Sequence, residues 1–179
     1  MKNIYFLFLA VILFNSCSDI EKTNRLAKID KMLHGLDSIK IQLNKQKIDT
    51  LADMQLAAQG VELRIKENFK SDTIDLEFGK KMDQYKRMRR AIPKLRTNLF
   101  KLEKGILELS KSLTLLRKDI ENNSGIREKY DEYIKFEQNK FDQISILYKD
   151  FQTNQKKIVE SYSALHLELY NFSMQLIQK

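Results

Sequence analysis

Between Tyr85 and Ile120 apolar residues recur at alternating steps of three and four without a miss. One series, seven residues apart, is Tyr85, Ile92, Leu99, Ile106, Leu113 and Ile120, and the interleaved series is Met88, Leu95, Leu102, Leu109 and Leu116. A seven-residue period averages 3.5 residues per repeat, close enough to the 3.6 of an α-helix that one apolar stripe runs along a face and a left-handed supercoil absorbs the drift. The pattern therefore demands helices that bury this stripe against one another. A sheet is excluded on two counts. Strands need a two-residue alternation, and a sheet of this length needs many more turn formers than five glycines and one proline supply.

Two further segments carry the same period. The later one reads Tyr130, Glu137, Ile144, Phe151, Ile158, Leu165 and Phe172, interleaved with Ile134, Phe141, Tyr148, Gln155, Tyr162, Leu169 and Leu176. The earlier one starts with Leu26, Ile29, Leu33, Leu36 and Leu43, accepts Lys40 and Lys47 on its seam, and resumes as Leu51, Met54, Ala58, Val61 and Ile65. Positions 43, 47 and 51 are four apart twice, a stutter that locally unwinds a supercoil. The period fails at residues 70–73, where Ser71 or Asp72 suits an N-cap, and at 121–125, where an Asn or Gly125 suits the left-handed conformation that closes a helix.

Helices are thus expected over about 19–69, 73–121 and 126–178. Near-equal lengths and short turns point to an all-α, antiparallel up-down-up three-helix coiled coil forming a single domain over 17–179, each helix about 75 Å long. Self-association is compatible with such seams. Pro93 sits inside the second helix beside Ile92, where it withdraws one backbone bond to the Arg89 carbonyl. A solvent-facing kink is favoured because the period crosses Pro93 unbroken, with a new helix starting at Pro93 as the rival reading.

The N-terminus obeys a different logic. Lys2 precedes an apolar run from Ile4 to Phe14, too short to span a bilayer and of the length of a secretory signal core. Leu13, Phe14, Asn15 and Ser16 then lead into Cys17, the one cysteine of the chain. This segment resembles a bacterial lipoprotein precursor, with Phe14 standing where that family more often carries Leu. The resemblance implies removal of residues 1–16, a diacylglycerol thioether on Cys17, and a lipid anchor in a bacterial cell envelope, at the outer membrane and facing either the periplasm or the surface. Several acyl chains at roughly 0.8 kcal/mol per buried CH₂ suffice for stable anchoring. Ser18-Asp19-Ile20-Glu21 resembles the acidic export tags of some surface lipoproteins, and it equally forms the S-x-x-E pattern of a capping box.

Chemistry for catalysis is absent from the sequence pattern. His34 and His166 are the whole imidazole inventory, and the expected topology sets them roughly 35 Å apart. No metal-ligand spacing, phosphate-cradling glycine loop or nucleophile motif is present, so neither a cofactor nor an enzymatic activity is expected.

Residues 80–96 are the strongest local feature. Lys80, Lys81, Lys86, Arg87, Arg89, Arg90, Lys94 and Arg96 face the single acid Asp83, a local net of +7. Cutting at Cys17 removes Lys2 and no acid, leaving 31 cations against 24 acids, so the whole mature chain also carries +7. The cluster thus holds the entire excess. One reading is a solvated face partly neutralised by Glu62 and Glu67. The other makes Lys86, Arg87, Arg89, Arg90, Lys94 and Arg96 a binding surface for an anionic envelope component or an acidic protein, with nucleic acid set aside for an exported chain. The expected topology puts the cluster about 40 to 63 Å from the anchored end, several Debye lengths beyond the anchor's own head groups.

The third helix holds nine of the 13 mature aromatics. Tyr133, Phe136 and Tyr170 lie off its seam. The wide buried stripe of a three-helix bundle favours core for these too, with partner docking as the alternative. The function class expected is a lipid-anchored structural or interaction protein, a helical rod presenting a partner-binding surface. A polyanion- or membrane-surface-binding module is the second class.

Overall fold

The computed structural model describes the backbone of residues 2–45, 49–70 and 75–178 and the side chains of 20–45, 50–70 and 75–178. The side chains of Cys17 and Ser18, the stutter residue Lys47, and the proposed caps Ser71 and Asp72 lie outside what is described. The fold is all-helical, without a strand among the described residues. In order come α1 (Lys2–Lys45), α2 (Asp49–Asn68), α3 (Leu76–Glu121), a 3-10 turn (Arg127–Lys129) and α4 (Tyr130–Ile177). Where one helix was expected over 19–69, two are assigned, and the stutter falls between them.

The eleven seam residues expected from Tyr85 to Ile120 are all buried, and no other described residue of α3 is. α3 runs unbroken through Pro93, which is exposed, so no new helix starts there. Thr97 Oγ1 donates to the Pro93 carbonyl at 3.1 Å. Asp75 caps the helix, its Oδ1 accepting from the amides of Glu77 and Phe78 at 2.9 Å each. That satisfies two of the four donors that a helix start leaves open.

The chain divides into two compact units, Met1–Leu43 with Glu103–Ile146 and Asn44–Leu102 with Leu147–Lys179. In the first, Lys22 Nζ donates to the Glu121 carbonyl at 2.7 Å and Arg117 pairs with Asp30 at 2.7 Å, so numbers rise along α1 as they fall along α3. Arg25 forks onto the carboxylate of Asp131 at 2.6 and 3.2 Å. A Cβ on Gly35 would come within 2.6 Å of the Phe141 ring, so only glycine leaves that ring where it lies against α1. The turn between α3 and α4 uses left-handed conformations at both Asn123 (φ 52°) and Gly125 (φ 82°). The hydroxyl of Tyr130 fastens it by reaching the carbonyls of Asp119, at 3.1 Å, and Ser124.

α1 corrects the expected seam. Its buried residues are Ile29, Met32, Leu36, Ile39 and Leu43, whereas Leu33 is half-buried and Lys40 exposed. Shifting alternate positions back by one keeps the three-four spacing and puts Ile39 inside, which leaves the Lys40 ammonium in water rather than in the core.

In the second unit, Leu51, Ala58, Val61 and Ile65 of α2 are buried against the N-terminal part of α3 and the C-terminal part of α4. Phe69, Phe78 and Phe172 close one end as a trio with ring centroids 5.0 to 5.4 Å apart. The off-seam aromatics of α4 are not core. Tyr133, Phe136 and Tyr170 are all exposed, Phe136 at 59%. Lys140 Nζ lies over Phe136 at 4.3 Å and the Arg64 guanidinium over Tyr170 at 5.5 Å, so cations shield these rings in place of apolar neighbours. No helix among the described residues is long and apolar enough to cross a membrane.

Candidate functional site

Helix α3 has two flanks in the second unit, and the basic cluster is divided between them. On the flank toward α2, Arg89 forks onto Glu62, Nε to Oε1 at 2.7 Å and Nη2 to Oε2 at 3.0 Å. Both side chains are largely covered, at 22% and 15% exposure, and the carboxylate raises the guanidinium pKa above its ordinary value. Arg89 is committed to the fold. A shallow groove of about 430 Å³ on this side carries Glu62 and Asp83 against Lys66 and Lys86, so its charges balance.

The flank toward α4 is different. A groove of about 710 Å³ is lined there by four cations, Lys80, Arg87 and Lys94 of α3 and Lys157 of α4, with no carboxylate in its lining. Gln84, Asn98, Asn154 and Ser161 add neutral donors and acceptors, and Met88, Leu95 and Ile158 form an apolar floor that is already buried. Lys80, Arg87 and Lys94 are seven residues apart, so they form a row with a step of about 10.5 Å along the helix. Among the described residues Lys80, Lys94 and Lys157 make no ion pair. Arg87 pairs only with Asp83, one turn away, and both are exposed. Such a contact contributes little and exchanges readily for another anion.

The six candidate residues therefore separate. The structure brings Arg87 and Lys94 together in the cationic groove, puts Lys86 in the balanced one, and ties Arg89 to Glu62. Arg90 and Arg96 are exposed and line neither groove. The neutralisation expected from Glu62 is present, but it reaches Arg89 alone, and Glu67 makes no ion pair with the cluster. Lys81 is held by Glu168 of α4 at 2.7 Å, a hydrogen bond that raises its pKa. Sequence reading missed Lys157, which belongs to the groove only because α4 lies beside α3. The usable signal was the pairing order of those helices, seen in the Lys81–Glu168 and Tyr85–His166 contacts.

A second cluster lies within this unit. The Tyr85 hydroxyl and His166 Nδ1 are 2.5 Å apart, His166 stacks on Tyr162 with centroids at 4.2 Å, and Tyr170 follows at 5.9 Å. Burial pushes the Tyr85 phenol well above its usual range. Burial, reinforced by Arg64, lowers the His166 pKa, which favours the neutral imidazole. No group of metal-ligating side chains occurs among the described residues. The rings stack outward from the buried Tyr85 through half-buried His166 and Tyr162 to the exposed Tyr170, around a satisfied polar pair.

Comparison of the chain with protein families, curated proteins and solved structures yields no match.

Proposed function

We propose that this chain is a lipid-anchored interaction protein of the bacterial cell envelope, an antiparallel up-down-up three-helix coiled coil that presents a cationic groove to an anionic partner. The observation that carries the reading is the charge asymmetry about α3. Four cations line one groove with no carboxylate in its lining, and three of them make no ion pair among the described residues, while the opposite groove sets Glu62 and Asp83 beside Lys66 and Lys86. Folding alone gives no reason to gather like charges in one cleft, since their mutual repulsion opposes the compact state. The three-helix arrangement is supported by the buried α3 seam and by the contact order in each unit. The anchor rests on the sequence around Cys17.

Two measurements test it. Metabolic labelling with a fatty-acid analogue should mark the wild type and not Cys17→Ser; equal labelling removes the anchor. On a polyglutamate matrix, the detergent-solubilised full chain should elute at higher salt than the triple variant Arg87→Glu, Lys94→Glu and Lys157→Glu. A control reversing Lys31, Lys111 and Lys135, which have the same charge but lie outside the groove, should elute like the wild type. Co-elution of both triple variants would show that only net charge matters.

A further inference from the structure

The dimensions of the cationic groove specify its occupant further, granted the reading of that groove as an anion-recognition surface. The row Lys80, Arg87 and Lys94 covers fourteen residues of α3, about 21 Å, so the site is linear and exceeds one phosphate or one head group. Its step of seven residues is the repeat that a neighbouring α-helix shows when an acid occupies the same position of each of its heptads. A helix laid alongside would keep every acid in register with a cation of the row, because both repeats come from one geometry. Lys157, on the α4 wall, meets the occupant's opposite edge.

Ala91, exposed and small, falls in the lining midway between Arg87 and Lys94, where a longer side chain would hold a helix away. Packed helices approach to about 8 to 10 Å between axes, and small residues at the contact favour the short end of that range. Above a floor of Met88, Leu95 and Ile158 that is already buried, the exposed Ala91 and the aliphatic stems of the lysines offer apolar contact that a phosphate polymer or glycan chain would not use.

We infer that the groove between α3 and α4 docks an amphipathic α-helix of a different protein, with acidic residues at seven-residue spacing beside a narrow apolar stripe, as a fourth helix of this unit. A second copy of the chain does not fit the requirement. Its net charge is +8 over all 179 residues, and nowhere does it carry three acids in succession at seven-residue spacing.

The test uses the full chain in detergent and three probes at about 150 mM salt, near the physiological screening length. The first is a synthetic helical peptide of about 21 residues, three heptads, with one glutamate per heptad beside an apolar stripe. The second has the same composition with the glutamates moved around the helix, and the third is polyphosphate of equal total charge. Fluorescence anisotropy should show the in-register peptide binding at least about tenfold tighter than the rearranged one, a gap of 1.4 kcal/mol. Lys94→Glu with Lys157→Glu should erase that preference, and circular dichroism should confirm that the variant remains folded.

Equal binding of the two peptides, or tighter binding of polyphosphate, overturns the helix inference and leaves the anion-recognition reading standing. Failure of all three probes removes both. Sedimentation showing a dimer that dissociates as peptide binds would assign the groove to a second copy instead and likewise overturn the inference.

Discussion

The two grooves that flank α3 begin with similar sequence and end with opposite character. On the α2 side Glu62 and Asp83 face Lys66 and Lys86, and Arg89 is locked in a largely covered fork. On the α4 side Lys80, Arg87, Lys94 and Lys157 share a cleft without an acid. The α3 members of both sets arise from one basic run, so composition cannot tell them apart. What separates them is angular position, since residues on opposite sides of the seam meet different neighbours. On the α2 side Arg89 is absorbed into the fold by Glu62, whereas on the α4 side Lys80, Lys94 and Lys157 share a groove without an acid in its lining.

The contrast can be broken most violently at the seam that both grooves share. Leu102 is fully buried. Leu102→Asp strands an unpaired carboxylate there and should cost about 4 kcal/mol, read as a loss of cooperative melting, whereas Lys104→Asp on the exposed face should be nearly silent. Equal melting of the two would refute the heptad register.

Next comes the covered flank itself. Arg89→Glu sets two carboxylates against each other in a half-dry site and should cost about 3 kcal/mol, several degrees of Tm. A melt unchanged from wild type would mean that the Arg89–Glu62 fork adds nothing to the fold.

A smaller effect concerns pH. The folded pKa of His166 is depressed by burial and then by Arg64, with Tyr85, Tyr162 and Tyr170 around it. The unfolded imidazole takes up a proton first as pH falls through its ordinary value of 6.5. Its contribution is therefore complete above that pH and lost below it, so Tm should fall between about pH 7 and pH 5. His166→Gln should flatten that decline, and an identical decline in the variant would exclude His166 as its source.

Smallest of all is the effect on stability of opening the other flank. Lys94→Glu with Lys157→Glu should change unfolding free energy by no more than about 0.5 kcal/mol, because neither lysine holds a partner.

Much of this contrast was legible in the sequence, but unevenly. α3 could be read residue by residue because its two apolar series have no polar interruption to make the register ambiguous. α1 could not. Leu33 and Lys40 continue the seven-residue count, yet Met32 and Ile39 one step earlier fill the core and spare a buried ammonium. Periodicity offers both registers, and only packing chooses. The basic run announced itself, but its division did not, because Glu62 and Lys157 reach α3 from helices distant in sequence. Tyr133, Phe136 and Tyr170 show the converse. Aromatic character suggested core, whereas cations from Lys140 and Arg64 let two of these rings stay at the surface.

The most direct measurement of the central claim is the melting temperature of the full chain titrated with polyglutamate. A ligand that binds only the folded state raises Tm in proportion to the logarithm of its excess over Kd. The wild type should rise, as should the control reversing Lys31, Lys111 and Lys135, while the variant reversing Arg87, Lys94 and Lys157 should stay flat from an almost unaltered starting Tm. Parallel rises in all three proteins would contradict the account, showing that the α4-side groove is a solvated face like any other.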